Sequence, residues 1–213
     1  MGRMLLTVVA ALALTATASA SKPLLAQTAP AGAAPAPTQP LTKLEAASSI
    51  RGSVTVRDQR PCGSVTGISW SGISSSVAVN CSSVAIFRPG KESEQAKGIL
   101  LETNWEERGQ SRSQSVFIDY DEIQDIISGL NYIGDTKSKL KEEKPDNYTV
   151  QYSSKGGFQC GYIKYKYRDG DQSNFFMTIN TKSYEKATLY PEEAQIRALS
   201  EMMSKARNDL DKR

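Results

Sequence analysis

"SVFIDYDEIQDIISGLNYIGD", residues 115–135, is where the chain changes its period. Up to Ile118 the apolar residues sit as in a strand. From there Ile123, Ile126, Ile127, Leu130 and Ile133 recur at helical spacing and draw one apolar stripe. Gly134 follows, where a left-handed C-cap is expected. Four acids occupy the changeover: Asp119, Asp121, Glu122 and Asp125. With Asp119 as N-cap, Glu122 stands at the third helical position, and the two are expected to form a capping box that satisfies orphan N–H groups. Ile118 and Ile123 flank them as a hydrophobic staple, and Asp121 adds charge where the helix dipole favours it. A calcium loop fits poorly. Ile123 takes the fifth ligand position, Gln124 the glycine position and Leu130 the twelfth. Nor do neighbouring acids on one turn make the two-sided cleft that glycoside cleavage needs. The cluster is therefore expected to start a helix.

On either side of this changeover lie short β-branched and aromatic runs bounded by Gly, Ser and charge. Before it come a strand near Ser53–Arg57, then "SVAVNCSSVAIFRPG", "KGILLETNW" and "QSVFIDY". Ile99, Leu101, Thr103 and Trp105 share one face of the third; Leu100, Glu102 and Asn104 share the other. "QRPCGSVTGISWSGISSS" is expected to be a mobile loop and "EERGQSRSQ" a polar hairpin loop. After the changeover, "DTKSKLKEEKPDN" is expected as a charged connection, followed by "NYTVQYSS", "GGFQCGYIKYKYRDG", "SNFFMTINTK" and "EKATLY" as strands. Arg168–Asp171 holds the Asp-Gly pair of a tight hairpin. A last helix opens near Pro191, Glu192 and Glu193 and buries Ile196, Leu199, Met203, Ala206 and Leu210.

The fold class is thus α+β: an antiparallel sheet or two packed sheets with two amphipathic helices, as a pseudo-duplicated four-strands-plus-helix unit. One such unit cannot bury both of its apolar surfaces alone, so two pack together. That order of elements resembles the whirly and Pur-type single-stranded nucleic-acid binders, in topology only. The resemblance implies a sheet that stacks bases and tracks phosphates. Separately, "FIDYDEIQDIISGLNYI" resembles a phrase of bacterial exported domains of unknown function, which implies no activity.

The ends of the chain bear on where it works. Residues 1–20, "MGRMLLTVVAALALTATASA", have an early cation, an apolar run and a closing Ala-Ser-Ala, the layout of a signal peptide. Residues 21–48 follow as an Ala/Pro-rich arm expected to be disordered, and 49–213 as a single α+β domain. No membrane span is expected after cleavage. Removing residues 1–20 takes away only Arg3, leaving 25 basic and 23 acidic residues, a net of +2. Such a balance gives little pull toward nucleic acid. The chain of 213 residues has no histidine, which excludes histidine bases, triads and metal ligands together.

Three cysteines, Cys62, Cys81 and Cys160, suggest one disulfide and one leftover thiol in an exported protein. Cys62–Cys81 would close a short loop, though either other pairing also fits the sequence. Trp70, in the Gly/Ser-rich loop, is a candidate partner contact. So are Tyr162, Lys164 and Lys166, which share one face of "GYIKYKYRD". No cofactor or metal is expected. The function expected is an exported, non-catalytic binding module for an unidentified protein or envelope ligand. The alternatives are a carboxylate- or lysine-based envelope enzyme and a whirly-like single-strand binder.

Overall fold

The structure is a computed structural model that describes residues 41–69, 75–107, 109–143, 147–167, 170–184 and 186–213. Trp70, the signal peptide, the arm to residue 40 and Arg168–Asp169 of the hairpin turn lie outside the described residues. The elements run α1 (Lys43–Ser48), β1 (Val56–Ser69), β2 (Ser75–Phe87), β3 (Ala96–Glu107) and β4 (Gln110–Asp119). They continue with α2 (Ile123–Glu143), β5 (Tyr148–Ser153), β6 (Gln159–Tyr167), β7 (Gly170–Ile179), β8 (Ala187–Tyr190) and α3 (Glu193–Asp211). The class is α+β, with one eight-stranded antiparallel sheet in the order β4-β3-β2-β1-β8-β7-β6-β5.

Each half of the sheet is a four-stranded meander, and the halves meet where β1 joins β8. The helices cross over between halves. Helix α2 follows β4 and packs on β5 and β6, whereas α3 follows β8 and packs on β1, β2 and β3; the two helices also pack on each other. The expected stripes supply these contacts. Ile123, Ile126, Leu130 and Ile133 of α2 are buried, as are Ile196, Leu199, Met203, Ala206 and Leu210 of α3. Each such Ile or Leu contributes roughly 1.5–3 kcal/mol of burial. They meet Val79, Ile99, Leu101 and Ile118 from one half of the sheet and Tyr162, Phe175, Met177 and Leu189 from the other in one core.

Several segments differ from expectation for definite physical reasons. The Gly/Ser-rich run after Arg57 is a strand, because β1 continues through Cys62 to Ser69 in register with β2. Its glycines admit close neighbours: a Cβ on Gly67 would lie 3.0 Å from the Leu189 side chain and 3.3 Å from the Pro191 nitrogen. The "EERGQSRSQ" loop shrinks to a tight turn, with strand pairing continuing to Glu107↔Gln110 and Gly109 at φ +75. Helix α2 runs nine residues past Gly134, to Glu143. Gly134 lies where α2 crosses α3, 3.7 Å from an Arg197 carbon if given a Cβ, and is not a cap. Finally, the end of the arm read as disordered is ordered. Residues 43–48 form α1 with a complete capping box between Thr42 and Glu45, and Leu44 is fully buried.

Candidate functional site

The acid cluster is structural, but not in the way its spacing suggests. Tyr120–Glu122 form a 3-10 turn leading into α2, and Asp119 makes no side-chain cap bond to it. In the sheet register Asp119 stands opposite Gly98, on the face away from α2 and α3, and there it caps a different helix. Its carboxylate accepts from Lys43 N at 2.9 Å and Leu44 N at 3.2 Å, at the start of α1. Asp121 pairs with Lys43 Nζ at 3.1 Å, and this hydrogen bond holds its carboxyl below the usual value of 3.8. Glu122 is buried and accepts from Lys155 N at 2.9 Å, in the β5–β6 connection. The expected capping box is therefore replaced by two long-range anchors. Gly98 makes one of them feasible: a Cβ there would stand 2.6 Å from Leu44 Cδ1 and 2.1 Å from Ile118 O. Among the described residues no group of His, Cys, Asp or Glu could hold a metal ion.

The expected contact strand is turned the other way. Tyr162 is buried, its ring 5.1 Å from that of Phe175, and belongs to the core. It offers no surface to a partner. Lys164 and Lys166 share its face further along β6, where the core thins; Lys164 is half-buried and Lys166 exposed. A row of bases would thus meet the opposite face, of Ile163 and Tyr165, which carries no lysine in this strand. The three cysteines are all buried thiols, so the expected Cys62–Cys81 bond is not formed in this structure.

The structure places a cleft where the two half-sheets part. Strand β8 has only four residues because Pro191, which has no N–H to give a ladder, ends it and Glu192 opens α3 as N-cap. Among the described residues β1 pairs with β8 at Ile68↔Tyr190 and Ser69↔Leu189, and β8 pairs with β7 at three positions. Beyond Tyr190 the chain leaves the sheet, and α3 begins at Glu193. The opening is a cavity of about 620 Å³ whose lining includes Ile68, Lys137, Ser173, Asn174, Tyr190, Pro191, Glu192 and Glu193. Ile68 is 47% exposed, an apolar side chain on the otherwise polar outward face of β1. Gln195, in the first turn of α3, accepts from Thr66 N at 2.9 Å and so closes the adjoining strand edge.

No family model, curated protein or solved structure matches the chain. The cleft's chemistry is therefore read from its own residues. Its lining sets Ile68, Tyr190 and Pro191 beside hydroxyl, amide and charged groups, the composition of a recognition site. A larger hollow of about 720 Å³ runs along α3 between Asn131 and Lys212, lined by polar and charged residues with no aliphatic or aromatic side chain among them. A third, of about 280 Å³ on the outer face of β2, β3 and β4, is also polar, with Asn80, Glu102 and Asn104. Sequence reasoning missed Ile68, Lys137 and Tyr190. Two signals pointed to the cleft: Pro191 directly after "ATLY", and Ile68 in phase with Ser64 and Thr66.

Proposed function

We propose that this chain is an exported, non-catalytic binding module that takes its partner, a protein segment of the cell envelope, into the cleft between the half-sheets. The observation that carries this reading is the exposed Ile68 beside Tyr190 and Pro191 in a cavity of about 620 Å³. An apolar partner side chain gains there by leaving water, while Ser173 and Asn174 can meet the partner's backbone. Glu192 and Glu193 outnumber Lys137 in the lining and disfavour a phosphate chain, which supports a protein partner over a nucleic acid. Export is supported by the leader-like residues 1–20.

The test compares the native chain with Ile68→Glu in quantitative capture from an envelope extract. A charge buried against an apolar partner is expected to reduce recovery of the specific partner at least about tenfold. Ile68 is half exposed, so the variant should unfold like the native protein. Equal recovery by a folded Ile68→Glu would refute the cleft as the binding site.

A further inference from the structure

Cys62 and Cys81 come together through an irregularity in the sheet. The β1–β2 register pairs Pro61 with Ser82 and Gly63 with Cys81, leaving Cys62 as the extra residue of a β-bulge directly beside Cys81. Both side chains belong to the same core, Cys62 at 8% and Cys81 at 1% exposure. Gly63 lies at φ +141, and a Cβ on it would fall 2.6 Å from Met202 Sδ, so α3 roofs the bulge. The Cys62 thiol donates to Arg60 O at 3.6 Å, and Cys81 stands beside it on β2. Cys160 is remote from them in the sheet, buried on β6 between Tyr152 and Met177.

We propose that Cys62 and Cys81 form a reversible disulfide across this bulge, making the pair a redox-active modification site and leaving Cys160 as a thiol. The bond would tie β1 to β2 midway along the hairpin whose Ile68 lines the cleft. It does not depend on the cleft having a partner. The chemistry is exchange with a small disulfide such as oxidised glutathione. The Cys62 thiolate attacks one glutathione sulfur, the glutathione S–S bond breaks, and one glutathione thiolate leaves. Cys81 then yields its proton to that thiolate and attacks the Cys62 sulfur, expelling the second glutathione. Two protein thiols lose two electrons, and one glutathione disulfide becomes two thiols. The assignment of Cys62 as the attacking sulfur follows from its greater exposure, with the neighbouring Cys81 thiol lowering its pKa to about 6.

Tryptic mapping of the full-length chain after equilibration with oxidised glutathione tests this directly. Cys62 and Cys81 fall in one peptide, 58–91, because Arg60 and Arg88 each precede proline; Cys160 falls in 156–164. The expected result is a 58–91 peptide two hydrogens lighter and unalkylated, with Cys160 alkylated once the protein is unfolded. Reductant should lower the melting temperature by roughly 5–10 °C. In Cys81→Ala a single glutathione should remain on Cys62. Alkylation of both Cys62 and Cys81, or a bond from either to Cys160, would overturn the proposal.

Discussion

Asp119 commits both carboxylate oxygens to the backbone of Lys43 and Leu44, across 75 residues of chain. Two charge-assisted bonds at a site only 2% exposed make it worth more than an ordinary cap. Asp119→Ala is expected to cost about 2–3 kcal/mol in denaturant unfolding, and to expose the Leu44 amide to hydrogen exchange while α2 stays protected. Loss of protection in the first turn of α2 instead would restore the local cap. The residue pattern announced that these acids end helices, but not which helix. Spacing reports neighbours in sequence, and Asp119 and Glu122 chose partners brought near by the sheet. For the same reason Tyr162 could be placed on a face from sequence, but not on the buried one. Lysine on that face argued for solvent, and only the thinning of the core toward the strand end reconciles the two.

At the scale of elements, both long helices and the strands other than most of β1 were legible, since period-2 and helical stripes report burial directly. Glycine was harder to read. Gly134 looked like a terminator because it followed the last apolar residue of the stripe, yet α2 passes through it where α3 crosses. Gly134→Ala is therefore expected to stabilise the protein by about 0.5–1 kcal/mol, the helix-interior preference, since the new Cβ meets Arg197 at ordinary contact distance. A left-handed cap would give destabilisation in the same thermal melt. Gly63 and Gly67 misled similarly, suggesting a loop where they allow β1 to lie against α3 and β8.

For the whole molecule, helix α1 and the C-terminal turn of α3 are fastened by carboxylates with depressed pKa values. Asp121 is lowered chiefly by its hydrogen bond to Lys43, and Asp209 chiefly by that from Ser83, with Arg213 adding to it. A carboxylate whose folded pKa lies below its unfolded one stabilises the fold above the unfolded value and stops doing so as protons bind. Stability is thus expected to hold from pH 7 down to about 4 and to fall below that as these groups protonate. Urea unfolding at pH 7, 4 and 3 checks it; a midpoint that rises on acidification would contradict the sign.

The cleft is a property of the same scale, created by how short β8 leaves the junction of two half-sheets, and local pattern hints at it only through Pro191 and the apolar Ile68. Its role is tested most directly by a photo-crosslinking side chain placed at Asn174, in the cleft, or at Thr149, exposed on edge strand β5, in cells making the full chain. The account predicts a discrete protein adduct from position 174 that disappears in an Ile68→Glu background, and none from position 149. An adduct from 149 alone, or one from 174 that survives Ile68→Glu, would contradict it.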